Sequence, residues 1–331
     1  MDTLTHGLSG ALIGRVLSNK AKVVTPAAYM TVGAFAAVFP DFDFIFKIFG
    51  DNAYMWNHRG ITHSFLFLPI WALVISVCMT FFFIRSKNKG KWFKNQEIIH
   101  KKYDVFKDIY LIACVGVFAH ILGDLITSFG TMIFWPILSR YEYGSVFIID
   151  LFFTGIIVIG LIISWKFGKN NIDKSKIAAI FLLLLVSYIG LTQYLRSVAK
   201  EEVSQIIHNK YPETKNNNSI IFDAKPDMFL PINWIGIAYD VKNEKYYYIP
   251  LKLWSSNDVS NKVVEYQKWG MMNTDRARVV FEHPKMEFAR WFMQYPYVLK
   301  EDEKCVLFTD MRYQSNFRKE NPFIYGLCDE K

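Results

Sequence analysis

Cysteine is scarce in this chain. There are four in 331 residues, and no Cys-x-x-Cys pair, so a thiolate metal site has no basis in the sequence. Cys78 and Cys114 fall within apolar runs, and Cys305 and Cys328 can pair only if their domain lies in an oxidising compartment. A basic stretch ahead of the first apolar segment is also missing, and Asp2 stands there instead, which argues against a cleaved signal peptide. Internal repeats are absent. So is any concentration of His, Asp and Glu beyond residue 198: His283 and the scattered carboxylates there read as surface residues.

What the chain has in quantity is long apolar runs, nearly all within the first 197 residues. Windows at 23–39, 61–84, 108–128, 148–165 and 176–195 approach or exceed the ~20 residues that cross a bilayer, so five spans are expected. Residues 3–18, "TLTHGLSGALIGRVLS", form a shorter sixth helix, with Gly10 and Gly14 spaced for close helix packing. The net charge of +8 follows the same map. Arg15, Lys20 and Lys22, the eight basic residues from Arg85 to Lys107 including Lys101, and Lys166, Lys169, Lys174 and Lys176 all occupy alternate loops. The other loops hold Lys47, Arg59 and Arg140. By the positive-inside rule, residues 40–60, 129–147 and 198–331 are extracytoplasmic, and the basic balance reports topology; no nucleic-acid partner is expected.

The expected fold is an all-α polytopic membrane bundle of about five to six helices over residues 1–197, followed by a small soluble α+β domain over 198–331. The latter starts with a polar segment, "AKEEVSQIIHNKYPETKNNNS", whose Asn run reads as a surface loop. "NWIGIAYDVKNEKYYYIPLKLW" reads as two strands about a polar turn and "KCVLFTDMRYQ" as another. Substrate recognition or a lid is the expected role of this domain.

The chemistry is expected in the membrane half. Asp2, His6, Asp41, Asp43, His58, His63, His120, Asp124 and Asp150 are read as falling toward the outer ends of their helices or in outer loops, where a bundle gathers them. His120 and Asp124 are one helical turn apart on one face, as are Asp2 and His6. Pro40 ends a helix so that Asp41 and Asp43 project from an irregular segment. His63 is placed in the first turn of its helix, where the dipole keeps imidazole neutral. Asp2 and Asp150 could equally be helix caps, but a carboxylate such as Asp124 inside an apolar helix is costly unless paired. The metal ligand set is therefore His6, Asp41, Asp43, His63, His120 and Asp124, for zinc, manganese or iron.

The strings "DTLTHGLSGALIG", "PDFD", "HRGITHS" and "HILGDLITSFGTMIFWP", in that order over about the first 155 residues, resemble the bacterial membrane-bound metal-dependent hydrolase family. That family is also described as LexA-binding inner-membrane, YdjM-like hydrolases. The His-x-Leu-Gly-Asp string at His120 to Asp124 is more distantly similar to the ligand helix of zinc-dependent phospholipase C and P1-type nucleases. The likeness implies His6, Asp41 or Asp43, and His63 as further ligands. Gly130 stands where that motif has another His, so the resemblance implies one or two metal ions rather than three.

The expected activity is hydrolysis of a phosphoester, in a phospholipid or lipid-linked phosphate, by a metal-activated water in the cell membrane. Asp41 or Asp43 is the expected general base and His58 a ligand or proton donor. Arg59, with Thr127 and Arg140, is expected to hold the substrate anion. The alternative is a non-catalytic scaffold with a structural metal. A transporter fits less well, because its polar groups line the midplane or a pathway.

Overall fold

The structure, a computed structural model, describes residues 1–95, 102–216, 219–255, 262–270, 274–315 and 321–328; Lys101, Asn217 and Asn218 of the segments above lie outside them. The chain forms two compact units, Met1–Leu191 and Thr192–Lys331.

In the first unit, Asp2 caps α1 (Thr3–Leu17) by accepting from Thr5 N at 3.0 Å. Thr25 caps α2 (Pro26–Val38) in the same way, with Pro26 in its first turn. These helices pack antiparallel, backbone to backbone. A Cβ on Gly14 would lie 2.6 Å from Tyr29 O, and Gly10 and Gly33 face each other's carbonyls more closely still. A 3-10 helix, Phe39–Phe49, then leads to α3 (Asp51–Asn57), a 3-10 turn at Ile61–His63, α4 (Leu68–Arg85) and α5 (Lys89–Trp92). Next come α6 (Lys102–Leu125), α7 (Leu151–Phe167) and α8 (Asn171–Lys210). Gly116 of α6 closes on α2, where a Cβ would meet Ala36 Cβ at 2.7 Å. Val32, Ile75, Ile109 and Ile112 sit in the core that α2, α4 and α6 share.

Among the described residues three helices, α4, α6 and α8, are long and apolar enough to cross a membrane, fewer than the five to six expected. The run at 23–39 yields only the 13 residues of α2, because Thr25 and Pro26 start the helix late and the chain tightens to 3-10 geometry at Phe39. The run at 148–165 yields the 17 residues of α7, capped by Asp150. The run at 61–84 becomes α-helical only at Leu68, so His63 lies in a 3-10 turn ahead of α4 and not in the first turn of that helix. The reading of acidic groups at one end also needs correction. Asp108, at the opposite end of α6 from Asp124, is buried and accepts from the backbone N–H groups of Lys22, Val23 and Val24 at 2.8, 2.8 and 3.3 Å.

In the second unit, "AKEEVSQIIHNK" is helix. Ala199, Val203 and Ile207 recur every fourth residue, all fully buried, and continue α8 to Lys210. They pack on an antiparallel sheet of order β1 (Ile220–Pro226), β2 (Asn233–Asp240), β3 (Lys245–Lys252) and β4 (Val264–Gln267). After α9 (Thr274–Glu282) and α10 (Glu287–Phe292), a second antiparallel sheet contains β5 (Pro296–Glu301), β6 (Cys305–Asp310) and β7 (Ile324–Cys328). Cys305 and Cys328 sit directly opposite each other in β6 and β7 and form a disulfide.

Candidate metal centre

Asp41, His63, His120 and Asp124 each offer a ligand atom, and these atoms lie within 4.8 Å of one another. Three separate segments deliver them. α6 presents His120 and Asp124 from one face, both fully buried. His63 ends the 3-10 turn after α3. The 3-10 helix after α2 turns Asp43 inward at 1% exposure and Phe42 and Phe44 outward at 43% and 60%, leaving Asp41 at the rim with 17% of its side chain exposed.

Hydrogen bonds fix how these groups face the centre. His120 Nδ1 donates to Ala37 O at 2.6 Å. A carbonyl can only accept, so Nδ1 carries the proton of that bond and the other ring nitrogen, Nε2, faces the centre. That atom lies 2.9 Å from His63 Nε2 and 3.5 Å from Asp124 Oδ2. His63 Nε2 is 3.1 Å from Asp124 Oδ2. Asp41 Oδ1 completes the group at 3.6 Å from His120 and 4.0 Å from His63. Ligand atoms about 2.05 Å from a tetrahedral zinc lie about 3.3 Å apart, within the spread seen here. Asp124 Oδ2 is also buried with no hydrogen-bond partner among the described residues. A buried carboxylate oxygen facing two imidazole nitrogens is a donor set that suits a cation. The residues present therefore fit a divalent ion. Burial pushes His63 down to about 4, against the opposing pull of Asp124, so it is neutral and free to ligate.

The other expected ligands stand just behind this group. His6 Nε2 reaches Asp124 Oδ1 at 3.0 Å, and its ring stacks on His120 at 3.8 Å between centroids. Asp43 receives His58 Nδ1 at 3.1 Å on both oxygens and Arg59 N–H at 3.0 Å, and lies 3.7 Å from His63 Nδ1. Burial works to raise Asp43, but His58, His63 and the Arg59 N–H outweigh it and hold the carboxyl below its usual range. Arg59, left-handed at φ 60° and 3% exposed, spans Asp124 Oδ1 at 2.9 Å and Thr127 Oγ1 at 3.1 Å. Arg140 donates to Gly130 O at 2.7 Å, and both guanidiniums lie 4.8 Å from the Phe129 ring centre. Asp2 and Asp150 are helix caps, accepting from Thr5 N and Phe153 N.

Four partners were not read from the sequence: Thr3, whose Oγ1 donates to Asp41 Oδ2 at 2.8 Å; Thr62, beside His63 Nδ1 at 2.9 Å; the Ala37 carbonyl; and the Met1 amine, which bonds Asp124 Oδ1. Thr3 precedes His6 by three positions on one helix face, a legible signal. A backbone carbonyl such as that of Ala37 leaves none.

The sequence profile described as YdjM inner membrane protein matches residues 1–198. An uncharacterized protein of Bacillus subtilis (strain 168), YfhP, is 22% identical over 216 residues, 62% of this chain and 61% of its own length. The match thus spans under two thirds of that relative. No solved structure matches.

Proposed function

The chain belongs to the YdjM inner membrane protein family, and on that premise we propose that it is a membrane-bound metal-dependent hydrolase acting on a phosphoester. Its substrate class is a phospholipid or lipid-linked phosphate. The observation that carries this reading is the convergence of three buried ligands, His63, His120 and Asp124, on one rim carboxylate, Asp41. Two imidazoles and two carboxylates suit zinc, and also manganese or iron, as one ion or two. Held by these residues, such an ion would supply Lewis-acid polarisation of a phosphoryl oxygen and a water of lowered pKa.

The remaining work falls to the chain's own groups. Asp41, at the rim and steadied by Thr3, takes the proton of an entering water. His58, 18% exposed, is paired with buried Asp43, and the pair passes protons between site and solvent. The Nε–H of Arg59 is buried without a partner among the described residues, so part of this cation is left for a substrate anion. Arg140 and the Thr127 hydroxyl complete the proposed anion site, where a guanidinium's planar fork suits phosphate.

The scaffold reading keeps one specific support: four protein ligands can close a tetrahedral structural site. Asp41 separates the two. Its oxygen is the most distant of the four, so for a hydrolase Asp41→Asn keeps most of its metal and loses turnover. In a closed structural site the same change strips metal and stability together. The test is metal analysis of detergent-purified wild type and variant, followed by a chelator-controlled screen of phosphodiesters and lipid phosphates. Wild type that is metal-loaded yet inert throughout the screen would favour the scaffold.

A further inference from the structure

The 3-10 helix that brings Asp41 and Asp43 to the centre has a second face. Phe42, Phe44, Ile45, Ile48 and Phe49 are 43% to 78% exposed, a density of apolar surface that marks an interaction site. Depth along the spanning helices says what lies against it. From Lys102, at the basic end of α6, to Asp124 is about 33 Å at 1.5 Å per residue, about one hydrocarbon thickness. α4 agrees. Its 18 residues run from Leu68, five positions beyond His63, to the basic Arg85, about 27 Å. Two helices with basic residues at one membrane boundary thus set the metal ligands at the other. A chain of rings carries the lipid-facing surface of α4 onto the 3-10 helix. Trp71 in the first turn of α4 meets Phe39 at 5.7 Å, Phe39 meets Phe42 at 5.8 Å, and Phe42 meets Phe44 at 6.1 Å. Aromatic side chains favour this headgroup level.

We propose that the helix Phe39–Phe49 lies in the membrane surface. Its apolar face is seated at the boundary of headgroups and acyl chains, and its two carboxylates are turned into the metal centre, which therefore opens at headgroup level. The partner is the lipid surface itself. One consequence rests on the hydrolase reading: a lipid-anchored substrate reaches Asp41 without leaving the bilayer, which deepens the assignment of substrate class.

The test uses the full chain with Cys78 and Cys114 replaced, reconstituted in phosphatidylcholine and phosphatidylglycerol liposomes. Nitroxides are attached singly to Phe44→Cys and Ile48→Cys, with Leu73→Cys and Lys87→Cys as lipid and water references. Collision with oxygen, which concentrates in lipid, is compared with collision with a nickel chelate confined to water. Phe44 and Ile48 labels are expected to favour oxygen as the Leu73 label does, at shallower depth. Nickel collision equal to that at Lys87 would overturn the proposal. So would low collision with both reagents, since protein would then cover the face, from elsewhere in the chain or from a second copy. Neither metal nor turnover enters this readout, so an inert chain would sink the hydrolase reading and leave the membrane seat standing or falling on its own data.

Discussion

Asp124 divides its two oxygens between opposite tasks. Oδ1 takes Arg59, His6 and the Met1 amine, while Oδ2 turns unpartnered toward His63 and His120. Truncating it would leave buried Arg59 with Thr127 and Phe129 but no carboxylate, at a cost of roughly 3–5 kcal/mol, so Asp124→Asn, which keeps an acceptor oxygen in place, is more informative than Asp124→Ala. His120→Ala and Asp124→Asn are expected to purify with little metal. Asp43→Asn, which loosens the holders of His58 and Arg59 but removes no member of the four-residue group, is expected to weaken metal affinity by about 10- to 100-fold. Metal per protein by plasma mass spectrometry on monodisperse samples reads this gradient, and full occupancy in the first two variants would remove the centre as drawn. The one-turn spacing of His120 and Asp124 was legible because helix geometry fixes it. The split between Asp41 in the group and Asp43 behind it was not, because "PDFD" offers two acids and only the 3-10 twist decides which one reaches the ligands.

At the level of elements, the centre depends on how closely α1, α2 and α6 approach, since these helices and the segment after α2 bring in His6, Asp41, His120 and Asp124. The glycines at the crossings leave no room for a side chain: a Cβ on Gly14 would meet Tyr29 O at 2.6 Å and one on Gly116 would meet Gly33 O at 2.9 Å. Gly14→Val and Gly116→Val must therefore push helices apart, at a cost of at least about 1–3 kcal/mol, and are expected to lower the melting temperature in detergent and metal content together. Gly155→Ala in α7, with nothing within 4 Å of its added Cβ, is expected to leave both unchanged. Equal tolerance of all three would mean the helices are not so closely packed. The Gly10 and Gly14 spacing announced this packing, but their partners across the crossing could not be read, because contacts between helices leave no trace in local spacing. Hydropathy also overstated the spans. It registers apolar content, whereas Pro26, the 3-10 stretch after Val38 and the Asp150 cap decide how long a helix runs.

For the whole molecule, two independent observations bear on which side the second unit occupies. Fifteen basic residues at alternate ends of the spans expected from the sequence argue for a cytoplasmic side there by the positive-inside rule, and the Cys305–Cys328 disulfide is a bond that persists in oxidising compartments. The first argument depends on the parity of membrane crossings. With α7 only 17 residues long and α2 only 13, parity is the weakest step in any reading from hydropathy, whereas the disulfide does not depend on it. Single cysteines at Asn52 and Lys285, with Cys78 and Cys114 replaced and the disulfide intact, are therefore expected to react with an impermeant maleimide in intact cells. One at Lys169 is expected to react only after permeabilisation. Cys305 and Cys328 are expected to stay unreactive until a reductant is added. If Lys285 labelled only in permeabilised cells, with both native thiols already reduced, the second unit would be cytoplasmic. The side of the metal centre would then have to be read on its own. Labelling at Asn52 would still report the side of that centre, because Asn52 lies in α3, between the segments that carry Asp41 and His63.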